Sequence, residues 1–162
     1  MREFVSEGRM ATVPANTRTL ARIIVAGALG LVIWEIFARL VAPLWLGFEL
    51  DPTGLIEMSI GVSGMPAMWL HIMTGLVAFP AAYMLVVHPA FRAIVPGLPW
   101  PVAGGAYGVA LWVFAMYVMA SLLGGMPAFM GFAPIAWASL VGHVGLGLGI
   151  AAATAYTDRD AA

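Results

Sequence analysis

No charged residue interrupts residues 101–123, which read PVAGGAYGVALWVFAMYVMASLL. At a rise of 1.5 Å per residue, about 20 helical residues cross the ~30 Å hydrocarbon core of a bilayer. A segment of this length and composition is therefore long enough to span a membrane. Backbone amides find no water partner in lipid, so an open sheet is excluded and a helix is the expected structure.

Three further stretches have the same character: Arg22–Pro43, Pro66–Val87 and Pro134–Tyr156. The whole chain of 162 residues is 62% hydrophobic and 9% charged, whereas a soluble domain carries about 25% charged residues. We predict an all-α, polytopic membrane protein. Its four-transmembrane-helix bundle forms a single domain over residues 18–158, after a tail at residues 1–17 that is either flexible or ordered only against a neighbour.

A signal peptide is the competing interpretation of the first stretch. Its apolar run is too long for one, and no clean small-x-small cleavage site follows it. The chain has no cysteine, which excludes disulfides, thiolate metal sites and cysteine nucleophiles. A net charge of −1 without any lysine gives no electrostatic basis for nucleic-acid binding.

The arginines predict the orientation. Six of the seven fall on one side of the predicted helices, at Arg2, Arg9, Arg18, Arg22, Arg92 and Arg159. The first connection on the other side carries Glu49, Asp51 and Glu57 instead. By the positive-inside rule, both termini are expected in the cytoplasm of a bacterial cell, with the chain in the inner membrane.

The chain also resembles a duplicated helical hairpin. Residues 27–34, GALGLVIW, match residues 105–112, GAYGVALW, at four of eight positions. In the second and fourth stretches, HIMTGL at 71–76 matches HVGLGL at 143–148. Such a duplication predicts a parallel repeat about an axis along the membrane normal, with both histidines on the outer side.

Small residues predict close helix packing. Glycines spaced three or four apart allow helix backbones to approach one another in a membrane. The candidates are Gly27, Gly30, Gly75, Gly104, Gly108, Gly145, Gly147 and Gly149. Pro66, Pro101 and Pro134 lie at predicted first turns, where a missing amide proton costs nothing, while Pro80 is expected to kink the second helix.

These motifs carry a family resemblance. The Gly-Ala-x-Gly pattern at Gly27 and Gly105, and the SLVGHVGLGL stretch at 139–148, make the chain similar to a bacterial family of small four-helix membrane proteins of unknown function. The likeness covers residues 19–156. It implies a four-helix fold and, because some members accompany respiratory oxidases, a place beside a larger respiratory complex.

Two histidines within the apolar stretches are the first candidates for chemistry. Ionisable groups at membrane depth are costly and mark functional sites. His71 and His143 each lie on a face of small residues, which indicates a helix interface. They could ligate haem b from two sides, handle protons, or simply hydrogen-bond a backbone carbonyl or hydroxyl and hold helices together.

Glu35 and Arg39 form the second candidate. They are spaced i, i+4 with the acid first, the favourable order for an ion pair within a helix. The pair could be a proton relay, a docking site for a partner subunit, or a neutralised pair that snorkels to the membrane surface. Its counterparts in the second half, Val113 and Tyr117, are uncharged, and this asymmetry favours a specific partner.

Methionines near the predicted outer face are the third candidate. Met65, Met68, Met126 and Met130, together with an imidazole, have the soft-ligand character that suits copper(I). Methionine is also a common apolar residue at helix ends.

These features lead to one expectation and its alternatives. We expect a non-catalytic accessory subunit of a larger membrane complex, most plausibly a respiratory or redox one, that contacts lipid and other membrane subunits and requires no cofactor of its own. The alternatives are a bis-histidine haem b protein for electron transfer, an outer-face copper(I) site, and a small transporter. The sequence does not identify the partner, the oligomeric state or any transported substrate.

Overall fold

In a computed structural model, residues 15–159 are described, with side chains for residues 16–158. The predicted tail lies outside this range except for residues 15–17, which belong to the first helix. The described chain is all helical, without a strand, and four of its helices are long and apolar enough to cross a membrane. The predicted four-helix bundle is confirmed.

Four long helices make up the bundle, a short α-helix lies in the first connection, and a 3-10 helix, Ala128–Phe132, lies in the last. Several contain π-helical segments. Helix α1 runs Ala15–Ile36, Phe37–Val41 and Ala42–Leu46; α2 is Pro52–Ile60; α3 runs Gly64–Met73, Thr74–Ala78, Phe79–Ala82, Tyr83–Val87 and His88–Ile94; α4 runs Trp100–Val113 and Phe114–Leu123; α5 is Pro134–Arg159.

The helix bounds differ from the predicted ones mainly at two places. Helix α1 begins seven residues before the predicted Arg22, and α3 continues past Val87 to Ile94. The added turns of α3 contain His88 and Arg92, whose polar side chains can extend to the membrane surface while their backbone stays helical. Pro80 lies between two π-helical segments of α3, where widened turns accommodate a residue without an amide proton.

Local residue choices fix where the helices stop. Helix α1 ends at Gly47 and α2 ends at Gly61, both in the left-handed conformation that glycine adopts without a Cβ penalty. Helix α2 begins at Asp51, whose carboxylate accepts a hydrogen bond from the Gly54 N–H at 2.9 Å. The long first connection thus contains the short helix that its length allows.

Helix α5 is the centre of the bundle and packs against both α1 and α4. A Cβ added to Gly108 or Gly147 would overlap the backbone of the facing helix, and one added to Gly149 would lie 3.0 Å from Gly30 Cα. The other glycines predicted for packing also lie at helix contacts: Gly27 against Leu76, Gly75 against Leu31, Gly104 against Ala151 and Gly145 against Ile33. Close backbone approach therefore holds α5 between its two neighbours.

Among the four long helices, α3 packs differently from α1, α4 and α5. It meets α1 through Gly27 and Gly75, and it meets α4 where the Tyr107 hydroxyl donates to the Phe79 carbonyl at 2.7 Å. That contact lies towards the end of the bundle where α1 begins and α5 ends, which we call the terminal end. Towards the opposite end, α3 and α4 border a cavity.

The connection between α4 and α5 contains a left-handed turn. Phe129, Met130, Gly131 and Phe132 have φ between 51° and 64°. Three of them carry a side chain, for which this conformation costs roughly 1–2 kcal/mol per residue. Stacked rings offset this cost, since Phe129 packs against Trp112 at 5.0 Å and against Phe132 at 5.3 Å between ring centroids.

Candidate functional site

A cavity of about 680 Å³ lies between α1, α3, α4 and α5, and α2 covers it. This volume is within the roughly 300–1,000 Å³ typical of small-molecule and cofactor sites. Most of its wall is apolar. Its polar and aromatic lining residues include Trp34, Glu49, Asp51, His71, Thr74, Ser139 and His143. Both candidate histidines therefore line the same space.

His143 is buried in α5 and held by its own helix. Its Nδ1 lies 2.7 Å from the Ser139 carbonyl oxygen and 3.2 Å from the Ser139 hydroxyl. A carbonyl can only accept, so Nδ1 carries the proton and Nε2 of the neutral ring keeps its lone pair. The bond to a backbone carbonyl that one alternative proposed is present, but it lies within α5 and does not join two helices. It leaves one ring nitrogen able to bind a ligand.

His71 is held by a carboxylate on another helix. Its Nε2 lies 2.7 Å from Glu35 Oε1, so a neutral ring donates from Nε2 and keeps the lone pair on Nδ1. The expected carbonyl or hydroxyl partner is thus replaced by Glu35. A carboxylate or carbonyl acceptor on the second ring nitrogen is the usual outer shell of histidines that ligate metals, and both candidate histidines have one.

Glu35 is the centre of a longer charge network. Arg39 Nε lies 2.7 Å from Glu35 Oε2, as the sequence predicted, and Arg39 Nη1 lies 3.2 Å from Glu49 Oε2. The side chains of Arg39 and Glu49 are each 57% exposed. The network therefore runs from His71 at the cavity to charged groups at the edge of the bundle.

The sequence did not indicate that Glu35 pairs with His71 or that Arg39 pairs with Glu49. One feature of the sequence could have indicated the pairing of Glu35 with His71. Glu35 is the only acid in the apolar part of α1, and His71 lies near the start of α3. Isolated ionisable groups in neighbouring membrane helices tend to pair with each other.

Trp34 lines the cavity, although the sequence did not indicate it as a candidate. It is 6% exposed and packs edge-on against His143, with ring centroids 4.6 Å apart. Its indole N–H is buried without a hydrogen-bond partner among the described residues. The matching residue in the second half, Trp112, donates to the Ala136 carbonyl at 2.8 Å. The unpaired donor therefore belongs to Trp34, which lines the cavity, and not to its counterpart Trp112.

Of the four methionines predicted for a copper(I) site, one lines the cavity. Met65, Met68 and Met126 are exposed, whereas Met130 packs against the buried cluster around Trp112 and lines the cavity. Three other methionines line the cavity instead: Met58, Met116 and Met119. Within residues 15–159, no group of three or more histidine, aspartate or glutamate side chains is arranged to hold a metal ion.

Asp51 positions the helix that covers the cavity. Its carboxylate accepts from the Thr53 hydroxyl at 2.6 Å and from the Gly54 N–H. The hydrogen bond from Thr53, followed by that from Gly54, holds the pKa of this carboxyl below its usual value. The capped α2 contributes Leu55 and Met58 to the cavity wall.

Comparisons with known proteins were made for the whole chain. No family model matches it, and no curated protein and no solved structure matches it.

Proposed function

We propose that this protein is a membrane-embedded subunit that binds a cofactor between its helices, within a larger respiratory or redox complex. One observation carries the proposal: two imidazoles, each tied to an acceptor through one nitrogen, line a single cavity. The chain alone is not an enzyme in this proposal. It supplies a binding site and an environment, and the reaction belongs to the complex.

Haem b is the cofactor that we test first. The two histidines suit haem iron. Their other ring nitrogens are hydrogen-bonded, so Nδ1 of His71 and Nε2 of His143 keep lone pairs that could ligate it. The cavity wall is mostly apolar and includes Leu31, Phe79 and Phe114. When bound, haem would supply one-electron transfer. Glu35 and the Ser139 carbonyl would fix the two rings, and the apolar wall would exclude water.

A visible spectrum tests this proposal. Protein purified from haem-replete cells should show a Soret band and a reduced-minus-oxidised α band. Both should be lost or shifted in His71→Ala and in His143→Ala. Trp69→Leu, which changes an exposed ring two residues before His71, should leave them unchanged. Absence of any haem band, or identical bands in all four proteins, would contradict the haem assignment.

A second observation favours an accessory role with a partner subunit. Arg39 and Glu49 are charged, half-exposed and attached to the cavity network, which suits contact with a charged group of a neighbouring subunit. Purification in mild detergent at native expression should recover the protein with larger partners. Arg39→Gln should weaken this association, while Arg18→Gln should not. A single monodisperse species without partners would contradict the accessory role.

We further propose that the protein lies in a bacterial inner membrane with both termini in the cytoplasm. The four apolar helices support a multi-pass membrane protein. Arg18, Arg22 and Arg92 all belong to the terminal end of the bundle, and the positive-inside rule favours the cytoplasm for that end.

A further inference from the structure

A second, smaller pocket lies at the terminal end of the bundle, between the end of α3, the start of α4 and the last turns of α5. Its volume is about 250 Å³, and its lining includes Tyr83, His88, Arg92, Trp100 and Thr154. It shares no lining residue with the large cavity. We propose that this pocket, which we call the terminal pocket, binds the phosphate headgroup of an anionic phospholipid.

The charge of Arg92 is the first argument. Arg92 is exposed and forms no ion pair with a described residue, whereas Arg22 and Arg39 each pair with a carboxylate. A guanidinium presents several N–H donors that match the oxygens of a phosphate. Basic pockets between membrane helices at a bilayer surface are suited to lipid headgroups.

Tyr83 provides the second argument. It is 1% exposed, yet its hydroxyl makes no hydrogen bond to a described residue. Its ring is held by two neighbours, Tyr107 at 5.1 Å and His88 at 5.8 Å between ring centroids. Trp34 Nε1 is the one buried side-chain polar atom without a partner among the described residues, so the Tyr83 hydroxyl is open to the pocket that this residue lines and can donate to a ligand there. A phosphate oxygen is a suitable acceptor.

Asp158, the described acidic residue that lies beside His88 of the pocket, is itself paired with basic side chains. His88 Nδ1 lies 4.0 Å from Asp158 Oδ2, and Asp158 is also paired with the Arg22 guanidinium. The Thr154 hydroxyl is satisfied by the Ile150 carbonyl. Among the described residues, Arg92 is therefore the arginine of the terminal pocket that has no carboxylate partner.

The surroundings favour a lipid over a free anion. Ile94, Val95 and Val102 flank the pocket residues along the chain and are exposed apolar side chains, which offer a surface for acyl chains. Trp100 lines the pocket at the start of α4, and tryptophan favours the level of the headgroups. A headgroup with attached chains satisfies both the polar pocket and its apolar borders.

Native mass spectrometry of the purified full chain tests the proposal. The probes are phosphatidylglycerol, phosphatidylcholine with the same acyl chains, and inorganic phosphate alone. Wild-type protein should retain one phosphatidylglycerol in preference to phosphatidylcholine. Arg92→Gln should weaken phosphatidylglycerol binding about fivefold or more, and Tyr83→Phe by a smaller factor.

Two further variants make the result decisive. Arg18→Gln removes an exposed arginine from the same end without touching the terminal pocket, and should change binding less than twofold. Arg92→Lys keeps the charge but loses the guanidinium donors, so it should bind phosphatidylglycerol more weakly than wild type does. This variant tests the pocket if Arg92→Gln fails to fold, and unchanged binding would then contradict the role of Arg92. If Arg18→Gln and Arg92→Gln weaken phosphatidylglycerol binding equally, the lipid is attracted to the charged surface in general and not to the pocket, and the proposal is overturned. Binding of inorganic phosphate but not of lipid would overturn the lipid assignment.

Discussion

Two glycines one turn apart in α4 have opposite surroundings. A Cβ on Gly108 would overlap the backbone of His143 and Val144, whereas a Cβ on Gly105 would meet nothing within 4 Å. Gly108→Ala must therefore push α4 away from α5, at a cost typical of overpacking, about 1–3 kcal/mol. Gly105→Ala should be neutral or stabilise the helix by up to about 1 kcal/mol. Reversible unfolding in mixed detergent micelles measures both; equal effects would contradict the packing described.

Trp34 carries the unpaired donor of the large cavity. A buried N–H without a partner costs about 1–3 kcal/mol, and Trp34→Phe removes that penalty together with part of the ring. We expect the unfolding free energy of the empty protein to change by less than about 1 kcal/mol. If a bound molecule accepts a hydrogen bond from the indole N–H, purified Trp34→Phe should contain less of that molecule than purified wild type does. Unchanged retention would show that Trp34 only packs against His143.

The polar contacts at the large cavity can be predicted from the sequence only in part. The Glu35–Arg39 pair follows from spacing within one helix, and such local contacts can be predicted. The bonds of Glu35 to His71 and of Arg39 to Glu49 join separate elements. They depend on how α1 rotates against α3 and on where the first connection folds, which local spacing does not determine.

The left-handed turn at residues 129–132, after α4, cannot be predicted from the sequence, because phenylalanine and methionine disfavour positive φ. Gly131 has φ +64°, and a Cβ there would meet nothing within 4 Å. Gly131→Ala should therefore destabilise the protein by roughly 1–2 kcal/mol through backbone strain alone. Gly105→Ala is the matched control, since it also points into open space but from a helix. Equal unfolding free energies for the two variants would contradict the turn.

The helix that covers the large cavity depends on its cap. Because the pKa of the folded Asp51 carboxyl is lowered, its stabilising contribution is complete above the usual aspartate pKa of about 4 and is lost as the pH falls through the lowered value. Amide exchange across residues 52–60, corrected for intrinsic rates, should therefore accelerate below about pH 4 in wild type. Asp51→Asn still caps the helix and should show no such acid dependence. Parallel profiles for both proteins would contradict this role.

For the whole molecule, the duplicated-hairpin hypothesis predicts equivalent halves, and it stays a prediction. The matching positions have different environments: Gly27 packs against the α3 backbone while Gly105 faces open space. Trp34 and Trp112 likewise differ in their hydrogen bonds. Similar helices can pack unequally, because small differences in side-chain volume decide which faces meet. The large cavity, which α3 and α4 border, depends on which helix faces meet, so matching motifs in the two halves do not predict it.

The orientation of the bundle can be tested cleanly because the chain contains no cysteine. Asn16 and Asp158 lie at the terminal end, where Arg22 pairs with Asp158, and Thr53 lies in the connection at the opposite end. Single Asn16→Cys and Thr53→Cys variants in intact cells should react differently with a membrane-impermeant maleimide. If the terminal end is cytoplasmic, only Thr53→Cys is labelled before lysis, and both are labelled after it. Labelling of Asn16→Cys alone in intact cells would reverse the proposed orientation, and would place the terminal pocket and Arg92 on the outer face.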